Sequence, residues 1–314
     1  MMKLKKVFIT GVAGFIGSNI AKYLLENFPN INVVGIDNLK VGKLKFIKSL
    51  FKYKNFKFLK IDLKDFKSIK RASKGSDLVI HLASNADIAK AVKNPLIDYN
   101  EGFNLTLNIL EAMRKNKIKQ IIFSSGSGVY EENYVKPLIE DKSNLKPLST
   151  YGANKLSSES FISAYSHLYN IKALIFRFAN VVGKNQTHGV AFDFKNKLKK
   201  NPRKITVMGN GNQNKSYIEV SDIISAIFFT LNKTKNNLEI FNISNDDRLT
   251  VKQILNIVVK EMKIKKPKVI YGKTSRGWTG DVPFVKLSNN KLKSLGWRFR
   301  YNSKQAIVNS LKYI

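Results

Sequence analysis

Cysteine is absent from these 314 residues, which excludes disulfides, a thiolate nucleophile and any cysteine-ligated metal. Histidine is scarce: His81, His167 and His188 stand too far apart for metal-site spacing, and no metal is expected. No apolar stretch approaches the ~20 residues of a spanning helix, so no membrane partner is expected. The opening MMKLKKVFIT has the basic start of a leader, but its apolar run is only Val7, Phe8 and Ile9, and it reads as a strand. These absences make a soluble cytoplasmic protein the expectation. Acid is scarce too, with 22 Asp and Glu against 55 Lys and Arg, a formal charge of +33. Such charge would suit the neutralisation of phosphates. The excess, however, is mostly lysine scattered from Lys3 to Lys312, without the arginine forks of a base-reading patch. No specific nucleic-acid partner is expected, only non-specific attraction to polyanions.

What is present suits a folded enzyme: hydrophobic residues make up 43% and aromatics 11%. Short β-branched or aromatic runs predict strands at Lys6–Thr10, Asn32–Asp37, Phe56–Ile61, Leu78–Ala83, Gln120–Ser125 and Lys172–Phe178. Between them, Ile16–Phe28, Leu105–Lys115 and Leu156–Tyr169 carry apolar residues at helical spacing. Strand and helix in alternation predict an α/β fold, a doubly wound parallel sheet of Rossmann-like type. After Ala179 glycines and prolines become frequent and strands shorten, which predicts a second, smaller α+β lobe over the carboxyl ends of the sheet. The expected division is 1–178 and 179–314, with segments near 220–243 returning to the first part.

Ile9 to Ala21 reads ITGVAGFIGSNIA. Gly11, Gly14 and Gly17 follow the first strand and open a helix, so the backbone can approach a pyrophosphate at the helix N-terminus. Asp37 ends the second strand, where a carboxylate can accept both ribose hydroxyls of NAD and repel the added phosphate of NADP. Lys40 nearby leaves a small opening for NADP. Asp62 and Leu63, after the third strand, are candidates to hold an adenine amine and flank its ring, although an Asp there is as often a helix cap. Tyr151 and Lys155 lie on one helix face. The ammonium there can lower the phenol's pKa and prepare it to take a proton from a sugar hydroxyl.

Taken in order, Thr10 to Gly17, Asp37-Asn38-Leu39, HLAS, FSSGSGVY, the Tyr151 and Lys155 pair, RFANVVG and GDVPF resemble the landmarks of the extended short-chain dehydrogenase/reductase family, specifically its nucleotide-sugar epimerases and dehydratases. The resemblance spans nearly the whole chain. It implies NAD as cofactor, with Phe15, Ile16, Asn38, Leu82, Ala83 and Ser84 beside it, and a nucleotide sugar as substrate. Tyr151 and Lys155 are the implied catalytic residues. Asn180, His188, Lys215, Arg276 and Asp281 are the implied substrate contacts, although Trp278 stands where many members carry the arginine. The hydroxyl that usually assists the tyrosine aligns with Gly126, so Ser125 or Ser127, or Ser124, must replace it. A helix-start asparagine common in relatives is displaced, with Gly102 in its place. Dehydratases carry adjacent Asp and Glu where this chain has Ser127 and Gly128, which disfavours water elimination. The resulting expectation is reversible 4-epimerisation of a UDP-hexose. Val285 leaves space beside the sugar's C2 group, and apolar residues on more than one face of the helices near 105–113 and 156–169 predict a homodimer.

Overall fold

In the first strand, β1 (Lys6–Thr10), neighbouring side chains go to different cores. Val7 and Ile9 join one hydrophobic cluster and Phe8 the other, as the two-residue period of a strand covered on both faces requires. The computed structural model describes residues 4–85, 88–132, 136–277 and 280–314. Its main sheet comprises β1, β2 (Asn32–Asp37), β3 (Phe56–Lys60), β4 (Leu78–His81), β5 (Gln120–Gly126), β6 (Lys172–Phe178) and a strand from much later in the chain, Leu238–Ile243. All seven run parallel, in the spatial order β3, β2, β1, β4, β5, β6 and then the late strand. The order reverses between β1 and β4, and a doubly wound sheet binds ligands at the carboxyl ends of strands flanking such a switch.

One face is covered by α1 (Phe15–Asn27). The other carries α2 (Phe66–Ser73), α3 (Asn104–Asn116) and α4 (Thr150–Tyr169). Helix α4 starts well before Leu156, because Ser149 caps it by accepting from the Gly152 amide at 3.1 Å. Tyr151 and Lys155 therefore sit in its first turns. Beyond β6 come α5 (Val190–Lys200), α6 (Val220–Lys233), α7 (Val251–Glu261) and α8 (Ser303–Leu311). Helix α6 packs beside α1, its Ile223, Ile227 and Leu231 in the same core as Leu24, and the chain then adds the edge strand next to β6. The remaining late segments surround a separate cluster that includes Phe194, Leu198, Ile205, Ile254 and Ile307. Three two-stranded pairings lie among them, 180–182 with 217–219, 204–207 with 268–271, and 214–215 with 249–250. Among the described residues no helix is long and apolar enough to cross a membrane, and no group of three acidic or histidine side chains could hold a metal ion.

Candidate functional site

A cavity of about 1020 Å³ lies at the carboxyl ends of the sheet strands. The glycine turn forms one wall. Gly11 adopts φ +70°, and a Cβ on it would come within 3.1 Å of the Ala83 amide nitrogen. A Cβ on Gly17 would overlap the Gly11 carbonyl oxygen, so helix α1 reaches its close seat on β1 only without one. Bare backbone and a 13-residue helix starting at Phe15 leave a cradle suited to a diphosphate. Phe15, Ile16, Asn38, Leu63, Leu82, Ala83 and Ser84 all line the same cavity.

Asp37 is buried, with its two oxygens accepting from the Ala13 amide at 3.0 Å and the Leu39 amide at 2.8 Å. Burial raises its pKa, while these amides pull the other way. Asp37 lines the cavity and each oxygen has a further lone pair, which suits ribose hydroxyls. Asp62 lies just behind the wall formed by Asn38, Lys40 and Leu63. Its carboxylate is occupied by the Asn38 amide at 3.1 Å, the Lys64 backbone amide at 3.0 Å and the Lys40 ammonium at 3.2 Å. Lys40 is thereby drawn to Asp62 and Glu101.

At the centre, the Lys155 ammonium donates to the Ser124 carbonyl at 2.8 Å and lies 5.7 Å from the Tyr151 ring centroid. The serine turn lies beside the tyrosine. A Cβ on Gly128 would touch Tyr151 Cδ1 at 4.0 Å, and one on Gly152 would overlap the Gly128 carbonyl. Ser124, Ser125 and Ser127 all line the cavity but differ in their hydroxyls. Ser124 Oγ donates weakly to the His81 carbonyl at 3.4 Å, whereas Ser125 Oγ is buried with no partner among the described residues.

On the far side, Asn180 donates to the Ser216 carbonyl at 3.2 Å, and His188 and Asp281 complete the wall. Lys215 lines it too, but its ammonium is paired with Asp281 at 2.6 Å. Arg276 sits beside this wall and is held from outside it. Its guanidinium turns to Glu132 at 2.7 Å and to the Asp281 carbonyl, and it is absent from the cavity wall. Trp278 lies outside the described residues.

Residues 7–244 match the model of the NAD dependent epimerase/dehydratase family. The chain belongs to that family. It is 32% identical over 277 residues to "Uncharacterized protein MJ1055" of Methanocaldococcus jannaschii, covering 85% of this chain and 84% of that one. A UDP-glucose 4-epimerase of Thermotoga maritima solved with UDP-glucose superposes with a TM-score of 0.88, at 28% identity and 98% coverage of both chains. A UDP-N-acetylglucosamine 4-epimerase of Methanobrevibacter ruminantium also superposes at 0.88, with 27% identity over 99% of this chain and 98% of that one. NAD is the cofactor of this epimerase/dehydratase family member, and the glycine cradle and Asp37 are the residues that fit it.

Electrostatics in the enzyme depart from the simplest reading of the pair. Burial, helped by the Asp98 carboxylate, pushes the Tyr151 phenol up to about 12, and burial brings Lys155 down to about 8. Desolvation is the larger cause for both groups, and the Lys155 ammonium is directed to the Ser124 carbonyl.

The sequence reading missed the groups beneath the pair. Asp98 accepts from Asn85 at 2.8 Å and from Thr150 at 2.7 Å, which ties the start of α4 to the loop after β4. Thr10 Oγ1 accepts from the Leu82 and Ala83 amides, so it donates its own proton to His81 Nδ1 at 2.7 Å. His81 Nε2 must then carry the hydrogen toward Thr106 at 3.1 Å, which fixes a neutral tautomer, and burial pushes its pKa down to about 3. The H of HLAS was the available signal. Asp193 and Lys197, four apart on α5, also reach the cavity wall, and only the helical spacing of an unnoticed segment could have shown it.

Proposed function

We propose that this enzyme interconverts the C4 epimers of a UDP-hexose of the UDP-glucose and UDP-galactose type. The observation that carries the reading is the composition of the turn facing Tyr151. Residues 124–128 offer only serines and glycines, with one buried serine hydroxyl unpaired. That set can relay a proton but supplies no acid and base pair for removing water. The two glutamates just beyond are engaged elsewhere, Glu131 with Asn144 at 2.8 Å and Glu132 with Arg276.

Tyr151 takes the proton of the sugar's 4-hydroxyl, with Ser125 bridging the two oxygens. The phenol at about 12 has to come down before it can accept that proton, and the Lys155 ammonium, held by the Ser124 carbonyl, together with the positive charge that bound NAD would bring supplies the pull. NAD, when bound, supplies the hydride acceptor and donor at C4. Asn180, His188 and Lys215 hold the diphosphate side while the 4-keto sugar turns over, and Tyr151 returns the proton. Net redox is zero, so the protein should convert UDP-glucose to a mixture with UDP-galactose without added reductant. Chromatography of the nucleotide sugars tests this. Conversion to a dehydrated 4-keto sugar, or salt-sensitive RNA binding with no turnover, would overturn it.

Val285 lines the cavity and is 8% exposed. Its small side chain leaves room for an N-acetyl group, so UDP-GlcNAc should be accepted as well, and Val285→Tyr should exclude it by overlap. An unchanged preference in that variant would remove Val285 from the specificity argument. The functional unit in this reading is a homodimer built on α3 and α4.

A further inference from the structure

Residues 99–103 form one wide turn ahead of α3, in which Glu101 leaves helical geometry at φ −107°, ψ 20°. The turn is tied to the loop after β4, whose Asn85 amide donates to the Glu101 carbonyl at 2.6 Å. Gly102 lies at its centre, and the side chain of Asn154 takes the space beside it. A Cβ on Gly102 would lie 2.5 Å from Asn154 Cγ and Oδ1, and closer still to Nδ2. Asn154 stands between Tyr151 and Lys155 on α4 and is 6% exposed. Its Nδ2 reaches Ser84 Oγ at 3.5 Å, while its Oδ1 is buried without a donor among the described residues. A buried amide with an unpaired acceptor is a poor filler, since leucine would occupy the same volume without that penalty. Ser84 itself lines the cavity, next to Leu82 and Ala83.

We propose that Asn154 is a positioning residue for the dinucleotide, and that Gly102 is what makes room for it. Wedged between the wide turn and the loop after β4, its carboxamide sets where Ser84 meets the cofactor, in register with Tyr151 and Lys155 on the same helix. The inference rests on NAD as cofactor and is independent of which sugar is turned over.

The test loads purified protein with NADH and follows the loss of its protein-bound fluorescence on dilution into excess NAD, with melting temperature measured in parallel. Asn154→Ala should release NADH about tenfold faster, the worth of one positioning hydrogen bond, with little change in melting temperature because the unpaired acceptor goes as well. Ser84→Ala should match it, and the Asn154→Ala/Ser84→Ala double variant should be no faster than either. Gly102→Ala should also speed release by displacing the amide, and adding Asn154→Ala should bring it back to the rate of Asn154→Ala alone. Wild-type release from Asn154→Ala, or additive effects with Ser84→Ala, would overturn the proposal. If Gly102→Ala does not fold, the Ser84 comparison decides. Normal release rates in these variants beside intact sugar conversion would sink this inference alone, and altered release without sugar conversion would sink only the substrate reading.

Discussion

At the scale of single residues, the chemistry assigned to Tyr151 and Ser125 separates from binding. Tyr151→Phe should lower turnover by about 10²–10⁴-fold and leave UDP-sugar affinity near wild type, since only the proton acceptor is lost. Steady-state rates with a binding titration check this, and an active variant would remove Tyr151 from its role. Among the serines, Ser125→Ala should lower turnover most, because its buried hydroxyl has no other partner whereas Ser124 is turned to the His81 carbonyl. Three equal and mild effects would hand the relay to water. Asp37 predicts NAD bound at least about tenfold more tightly than NADP. Comparable NADP affinity would contradict the ribose assignment. Tyr151, Lys155 and the glycines could be read from the sequence because their geometry is set within one helix or turn. The fates of Lys215, Arg276 and Asp62 could not. Each is decided by a partner distant in the chain, as Lys215 is by Asp281 and Arg276 by Glu132. The same holds for the raised phenol pKa, which depends on how deeply the fold buries it.

At the scale of elements, Gly17 seats helix α1 on β1 and His81 ties β4 to β1. Gly17→Ala would drive a methyl into the Gly11 carbonyl, so helix α1 must shift off β1. The variant should lose about 1–3 kcal/mol of stability and bind NAD more weakly, read by thermal melting with and without cofactor. An unaltered melting curve would mean the helix moves freely. His81 predicts acid sensitivity with a definite sign. Its folded pKa, near 3, lies below the unfolded value of 6.5, so the unfolded chain takes up the proton first. Its contribution is fully present above pH 6.5 and declines as pH falls toward 3, by a few kcal/mol in all. Melting temperature against pH should fall in that window, and His81→Gln should flatten the fall; an equally steep variant would place the sensitivity elsewhere. The six strands up to Phe178 could be read because each is a short apolar run between turns. Helices α5, α7 and α8 went unnamed. In α5 lysines crowd the apolar face, while α7 and α8 begin with capping boxes, Thr250 with Gln253 and Asn302 with Gln305, which the sequence displays.

At the scale of the whole molecule, α4, packed beside α3, turns one face to the sheet and leaves aromatic and aliphatic groups outside. Phe161 is 41% exposed and stacks edge-on against Phe103, and Leu168 is 66% exposed. Two copies joined through these helices would cover that surface. Light scattering should show a dimer at micromolar concentration, and Phe161→Glu with Leu168→Glu should yield a monomer that still binds NAD; a monomeric wild type would refute the arrangement. The late edge strand has a consequence of a different kind, one of timing. Strand β6 ends at Phe178, but its neighbour is not complete until Ile243, and α6, which shares a core with α1, comes in between. During synthesis at roughly 5–20 residues per second, the cofactor half of the cavity would leave the ribosome with one flank of its sheet still bare for several seconds. Through that interval the open β6 edge is a site where another nascent chain could pair, so yield at high expression rates should depend on slow growth or chaperones more than the finished fold suggests.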